Sequence, residues 1–218
     1  DLHRRRHSFP TRRSSDLVCP KRTKGCTDAC LNTAGRGGMF KRGENTNVIQ
    51  KARIRKTRLF FEDRTTFFNQ LTQDITKAIA LAKKLGLKPV FRLNGTSDLS
   101  WEKYEVPSTG LNMFQIFPEV QFYDYTKVLG RKTGDIKNYH LTFSAADGND
   151  ADVQKALAQG MNVTVVYDRI PEGVYSADED DLRFLDPKVG IIGLKAKGRA
   201  KKDTTGFVRR TIPIKEVA

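Results

Sequence analysis

Residues 150–168, DADVQKALAQGMNVTVVYD, contain a helical pattern that leads directly into a strand pattern. Residues 150–159 suit a helix, and Gly160 stands where a glycine commonly terminates one. Residues 162–168 have the length and the β-branched content of a strand. A helix followed at once by a strand is the repeating unit of α/β proteins, so this stretch predicts a parallel sheet with helical crossovers.

The same alternation extends over most of the chain. Further strands are predicted at residues 88–94, 120–125, 139–144 and 190–197. The longest helical pattern has apolar residues at three-to-four spacing: Phe68, Leu71, Ile75, Ile79, Ala82 and Leu85. Asp63 could cap its start and Gly86 its end, and residues 48–60 predict a preceding basic helix. One α/β domain covering residues 18–218, with a basic C-terminal tail, is expected.

The predicted strands alternate between apolar and polar side chains, whereas buried parallel strands usually read as continuous apolar runs. Such alternation favours a partial, incomplete parallel α/β barrel whose polar face lines a ligand chamber at the carboxyl ends of the strands. An antiparallel sheet with one face in solvent would alternate in the same way. The polar residues predicted to face the chamber are Arg92, Tyr123, Tyr125, Lys127, His140, Ser144 and Asp168.

Composition limits the class of protein. The 218 residues carry a formal net charge of +14, and 38% of them are hydrophobic. No apolar run approaches the roughly 20 residues of a membrane span, so no membrane partner is expected. Three cysteines exclude a disulfide-dense secreted scaffold, and the cytoplasm is the expected compartment.

The positive charge is concentrated in two clusters, which favour contact with a nucleotide or a nucleic acid. A basic surface that only keeps the protein soluble is the alternative. The clustered cations are Lys51, Arg53, Arg55, Lys56 and Arg58, then Lys195, Lys197, Arg199, Lys201, Lys202, Arg209 and Arg210.

Residues 1–17 are interpreted as non-native and disordered. From His7 to Leu17 they match one reading frame of a common short-read sequencing adapter. We therefore expect an assembly scar in a sequence of metagenomic type, with native sequence beginning at about Val18. A basic arm that grips nucleic acid is the alternative.

The three cysteines lie within twelve residues, as Cys19, Cys26 and Cys30 in a C-x6-C-x3-C pattern. Thiolates this close suit a metal ion or an iron–sulfur cluster. A zinc site would need a fourth ligand, and His140 is the only histidine outside residues 1–17. Three ordinary thiols in a glycine-containing loop are the third interpretation.

Several longer motifs carry a family resemblance. They are CPKRTKGCTDACLNTAGRG (residues 19–37), FRLNGTSD (91–98), FPEVQFYDYTK (117–127), DLRFLDP (181–187) and GLKAKGRAKKD (193–203). Together they resemble phage-encoded proteins of the gene-product-88 type, over roughly residues 18–209. Those proteins are similar to radical S-adenosylmethionine (SAM) enzymes, which have three cysteines after the first strand of a partial α/β barrel. The resemblance implies that this first strand is missing here, since residues 1–17 occupy its place.

The resemblance also implies a cofactor site. Cys19, Cys26 and Cys30 match the ligands of a 4Fe-4S cluster, although both gaps are longer than the usual C-x3-C-x2-C. The turn after the first predicted strand matches the segment that receives SAM. The implied cofactor-binding residues are Asn94, Gly95, Thr96, Ser97, Asp98, Ser144 and Asp168. The chamber residues Arg92, Tyr123, Tyr125, Lys127 and His140 are substrate candidates, while no catalytic residue is assigned.

The sequence predicts one of two functions. The first is a radical-SAM-like iron–sulfur protein acting on an unidentified substrate, with a nucleotide or nucleic acid as the favoured class. The alternative is a basic nucleic-acid-binding α/β protein with a structural zinc or no metal. The sequence assigns neither the reaction nor the oligomeric state.

Overall fold

The computed structural model describes residues 18–40, 43 and 46–211. Over these residues the chain is a mixed α/β protein with a parallel, seven-stranded sheet that is not closed. The strands are β1 (Val90–Phe91), β2 (Gln121–Thr126), β3 (Tyr139–Ser144), β4 (Val163–Tyr167), β5 (Tyr175–Ser176), β6 (Ile191–Lys195) and β7 (Val208–Arg209). Their order is β1-β2-β3-β4-β6-β5, and β7 also pairs with β4.

The parallel register confirms the α/β prediction and excludes the antiparallel alternative. Val90 pairs with Gln121 between β1 and β2, and Phe143 pairs with Val163 between β3 and β4. The longest ladder joins β4 to β6 over five residue pairs that begin at Val163 and Ile191. Closure into a partial barrel, and a radical-SAM-like fold, stay predictions.

Five α-helices are found in the described part of the chain. They are α1 (Lys24–Asp28), α2 (Val48–Glu62), α3 (Arg64–Lys84), α4 (Met113–Ile116) and α5 (Asp150–Ala158). None of them is long and apolar enough to cross a membrane. Single 3-10 turns cover Leu31–Thr33, Gly35–Gly38, Trp101–Lys103, Arg183–Leu185 and Gly198–Lys202.

Local sequence explains where the long helices begin and end. Asp63 accepts a hydrogen bond from Thr66 N at 3.0 Å, so it caps the start of α3 as predicted. Gly86 and Gly160 follow α3 and α5 with φ of 65° and 73°, a left-handed conformation that glycine adopts without steric cost. The predicted helix boundaries at these residues are confirmed.

The contacts fall into two compact units. Of the described residues, the first unit holds 18–20, 39–124 and 130–140, and the second holds 21–38, 125–129 and 141–211. The expected single domain stays a prediction, and the interpreted scar at residues 1–17 lies outside the described residues.

Aromatic side chains form the core of the first unit. Phe60 of α2 meets Phe67 of α3 edge to face, with ring centroids 5.2 Å apart. Trp101, which is 4% exposed, stacks on Phe67 and packs edge to face on Phe60. Offset and edge-to-face pairs of this kind add to the free energy gained from burial alone.

Apolar residues of the strands and of α5 form the core of the second unit. Phe143 of β3, Val163 and Val165 of β4, and Val153 and Ala156 of α5 make one buried cluster. The apolar residues of α5 recur at helical spacing, so one stripe of the helix covers the sheet.

Candidate functional site

The turn after β1 is organised by one buried side chain, that of Asn94. Its Oδ1 accepts hydrogen bonds from Ser97 Oγ at 2.7 Å, Leu99 N at 3.0 Å and Trp101 Nε1 at 3.0 Å, while its Nδ2 donates to Leu99 O. The backbone N–H of Asn94 donates to Asp124 Oδ1 at 2.7 Å. An amide with this many partners holds the turn in one conformation.

The segment with the first cysteine lies on this turn. Asp98 N donates to Val18 O at 2.6 Å, and Cys19 Sγ lies 3.6 Å from Thr96 O. A methyl group added at Gly95 would meet nothing within 4 Å, so this part of the turn is open. A predicted cluster ligand and the predicted SAM turn are therefore neighbours after β1.

A network of buried charges supports the same turn. The carboxylate of Asp124 is fully buried and accepts a hydrogen bond from Tyr139 Oη at 2.9 Å. Arg131 donates to Tyr139 Oη at 2.9 Å and to both carboxylate oxygens of Glu102, at 3.1 and 2.5 Å. Arg131 also forms an ion pair with Asp98 at 3.7 Å, and its side chain is only 2% exposed. The network thus reaches the turn at both Asn94 and Asp98.

Burial dominates the electrostatics of this network. It raises the pKa of Asp124 to about 7, and the hydrogen bonds from Asn94 and Tyr139 only partly oppose it. Burial also raises the pKa of Tyr139. For Arg131 burial alone would lower the pKa, but the hydrogen bond to Glu102 reverses the direction. Asp124 can therefore gain or lose a proton near neutral pH.

Sequence reasoning missed the network. One signal was available, because Asp124 is the only charged residue in the aromatic strand segment QFYDYT. A carboxylate at such a position needs partners or a shifted pKa, and this structure supplies both. Arg131 comes from a loop and its partner Glu102 from the 3-10 turn Trp101–Lys103, and the sequence carries no signal that pairs them.

In the second unit, Asp147 follows β3 and forms hydrogen bonds with the segment that contains the second cysteine, Cys26. Its carboxylate accepts hydrogen bonds from Gly25 N at 3.0 Å and from Thr23 Oγ1. Thr23 in turn caps α1 by accepting a hydrogen bond from Cys26 N at 3.1 Å. Burial would raise the pKa of Asp147, but these hydrogen bonds lower it below its ordinary value.

The third cysteine follows a buried alanine. Ala29 is 7% exposed and packs with Ala196, Ala200 and Val208, which lie next to β6 or in β7. Cys30 Sγ accepts a hydrogen bond from Asn32 N at 3.5 Å and caps the turn Leu31–Thr33. The cysteine segment of this unit therefore packs beyond the carboxyl ends of parallel strands.

The three cysteines are the candidate ligands for a metal ion or an iron–sulfur cluster. All three cysteines are half-buried thiols rather than halves of a disulfide. Yet the described residues contain no group of three or more His, Cys, Asp or Glu side chains positioned to hold a metal ion. The three thiols have the chemistry that a metal ion or an iron–sulfur cluster needs.

His140 is not part of such a group either. Its Nε2 is buried and has no hydrogen-bond partner among the described residues, and burial lowers the pKa of the imidazole. The predicted cluster, the zinc alternative and the SAM site remain predictions.

Three of the other six predicted chamber residues have side-chain hydrogen bonds within the chain. Arg92 Nε donates to Asn94 O at 3.2 Å, and Tyr125 Oη donates to Asp181 Oδ1 at 2.7 Å. Asp168 Oδ1 accepts from Thr211 N at 3.0 Å, which fixes the segment after β7. These contacts show a structural role for each side chain, and their predicted ligand roles stay predictions.

The remaining three predicted chamber residues lie in β2, directly after β2 or at the end of β3. Tyr123 is buried within β2, and Lys127 is half-buried directly after it. Ser144 ends β3, where its carbonyl oxygen accepts a hydrogen bond from Asn149 Nδ2 at 3.1 Å.

The comparison with protein families matches the family model of gene product 88 to residues 5–211. The chain belongs to the gene product 88 family. The resemblance inferred from the motifs is thereby confirmed at the level of the family. No curated protein and no solved structure matches the chain. The gene product 88 match begins at residue 5, so the interpretation of residues 1–17 as an adapter scar stays a prediction.

Proposed function

We propose that this gene product 88 protein is an iron–sulfur protein of the radical-SAM type. Cys19, Cys26 and Cys30 would hold a 4Fe-4S cluster, and the turn at Asn94–Asp98 would receive SAM. One observation carries the proposal, namely that the Val18–Cys19 segment packs on this turn after β1.

General properties of parallel sheets support this location. Ligands of open α/β sheets bind outside the carboxyl ends of the strands, where loops rather than sheet supply the contacts. The turn after β1 lies at such an end, and Gly95 leaves its backbone accessible to a ligand. The second and third cysteines are proposed from their spacing in the sequence.

The bound cluster would supply electrons for cleavage of SAM. The chain's own residues would hold and orient the ligands. Asn94 fixes the turn through its four side-chain hydrogen bonds, and Asp98 is oriented by Arg131. The substrate class proposed from the basic charge is a nucleotide or nucleic acid.

Anaerobic reconstitution of the full chain with iron and sulfide tests the proposal. About four irons per chain, a visible charge-transfer band and a spectrum altered by SAM are expected. Serine at Cys19, Cys26 or Cys30 should each abolish loading, whereas Thr27→Ser in the same segment should not. Zinc, no metal, or unchanged loading in all three cysteine variants would overturn it and favour the metal-free or zinc-bound nucleic-acid-binding alternative.

A further inference from the structure

An open surface depression of about 520 Å³ lies along one face of helix α2 in the first unit, and all of its lining residues belong to α2 or flank it. Three cations line it, Lys51, Arg55 and Arg58, with the half-buried Ile54 and Leu59 beside them. We call this feature the α2 groove. It is separate from the turn at Asn94–Asp98, which contributes none of its lining residues.

The three cations form one continuous stripe. Lys51, Arg55 and Arg58 occupy positions i, i+4 and i+7, which lie on one face of a helix and span roughly 10 Å along its axis. All three are exposed. Among the described residues, no acidic side chain forms an ion pair with Lys51 or Arg55, so their charge is not neutralised within this part of the chain.

Three cations in a row along the α2 groove favour a partner with regularly spaced negative charges. Phosphates along a nucleic-acid backbone meet this requirement, and the apolar Ile54 and Leu59 offer a surface for the sugars. None of the described lining residues is aromatic, so they give no support to stacking of bases. The contacts available are those of sequence-independent binding.

Acidic residues mark one end of the groove. Glu62 and Asp63 line it after Arg58, at the carboxyl end of α2. Both carboxylates and the negative end of the helix dipole repel phosphate. The α2 groove therefore has a cationic section over Lys51–Arg58 and an anionic end at Glu62 and Asp63.

We propose that the α2 groove binds the sugar–phosphate backbone of a nucleic-acid strand without sequence preference. This goes beyond the proposed cofactor site and does not depend on it, because the lining contains no cysteine and no residue of the turn after β1.

The salt dependence of binding tests the proposal. Anisotropy of a labelled, mixed-sequence single-stranded 20-mer is measured with the full chain over a range of salt concentrations. The variant K51Q/R55Q removes two groove cations. The control K56Q/K77Q removes two exposed cations of α2 and α3 that lie outside the groove. Circular dichroism checks that both variants keep the native fold.

Each phosphate contact contributes about 0.7 to the slope of log K against log salt for a single strand. We expect K51Q/R55Q to lower the slope by about 1.4 and the control to leave it nearly unchanged. Glu62→Gln should strengthen binding, because it removes a negative charge from the groove. No binding by the unsubstituted chain at low salt, or equal slopes for the two double variants, would overturn the proposal.

Discussion

Asp124 is a fully buried carboxylate in a strand whose other side chains are uncharged. Its carboxylate lies inside β2 with no exposure, where a charge is costly unless it is hydrogen-bonded. Asn94 N and Tyr139 Oη supply two hydrogen bonds, but burial still raises the pKa to about 7. Its proton is therefore linked to the stability of the turn that carries the candidate cofactor residues.

Replacement of Asp124 by Asn should remove a pH-dependent part of the stability. Because the folded pKa of Asp124 is about 7 and the ordinary value is 3.8, the native state binds the proton more tightly than the unfolded state. The free energy of unfolding should therefore fall as the pH rises from about 4 to about 7, by an upper limit on the order of 4 kcal/mol.

Urea unfolding at pH 5 and pH 8, followed by the fluorescence of Trp101, measures this effect. Trp101 is the only tryptophan and donates a hydrogen bond to Asn94. Relative to the unsubstituted protein, Asp124→Asn should gain stability between pH 5 and pH 8. An equal difference at the two pH values would show that Asp124 does not titrate in this range.

Gly25 is a second residue whose role depends on its neighbours. A methyl group at this position would overlap Thr205 Oγ1 and lie 2.6 Å from Asp147 Oδ1 and 2.7 Å from Phe207 Cβ. Alanine is the better helix former by about 1 kcal/mol, but overpacking a close contact usually costs about 1–3 kcal/mol. We expect Gly25→Ala to lower the free energy of unfolding.

Chemical unfolding followed by far-UV circular dichroism measures the change at Gly25. Gly134→Ala is the matched control, since a methyl group there would meet nothing within 4 Å. Equal stability of the two variants would contradict the close packing of α1 around Asp147.

At the scale of elements, Asp63 joins two helices. It follows the last residue of α2, and its side chain accepts the Thr66 N–H that begins α3. These hydrogen bonds with Thr66 hold the pKa of Asp63 below its ordinary value. The junction places Phe60 and Phe67 in contact, so the cap also sets the aromatic core.

Loss of this cap should weaken the first unit. Asp63→Ala is expected to lower the free energy of unfolding by about 1 kcal/mol, while Asp63→Asn, which keeps an acceptor for Thr66 N, should cost much less. Trp101 fluorescence during denaturant titration reports the change, because Trp101 packs on Phe60 and Phe67. Asparagine as costly as alanine would show that the carboxylate charge, rather than the cap hydrogen bond, is what matters.

At the level of the whole chain, the family match and the adapter interpretation disagree about residues 5–17. The match to gene product 88 begins at residue 5, whereas the adapter interpretation places native sequence from about Val18. Stability can distinguish them, because residues that pack in a fold contribute to its free energy of unfolding and an appended scar does not.

A chain that begins at Val18 should unfold like the full chain. The deletion removes five arginines and two aspartates, so binding measurements need matched salt, but the unfolding midpoint should stay the same. Thermal and urea unfolding of the two chains measure this. A loss of more than about 1 kcal/mol would assign residues 5–17 to the native fold and reject the scar.

The amino-acid sequence was sufficient to predict the α/β class, five of the seven strands, the ends of α3 and α5 and the family, whereas the two-residue strands β5 and β7 were not predicted. These features depend on local signals, such as apolar periodicity, glycine after a helix and contiguous motifs, which neighbouring residues carry together. For the candidate site it placed the cysteines and the turn after β1, because both lie in continuous motifs.

The residues that support that turn become apparent only in the folded chain. Asp124, Arg131 and Glu102 come from separate segments, and their pairing depends on strand register and loop paths that no local pattern encodes. Burial likewise set the proton affinity of Asp124, since desolvation is a property of the folded surroundings. Local sequence thus determines where the helices and strands form, whereas long-range packing determines which charged side chains meet and how tightly Asp124 binds its proton.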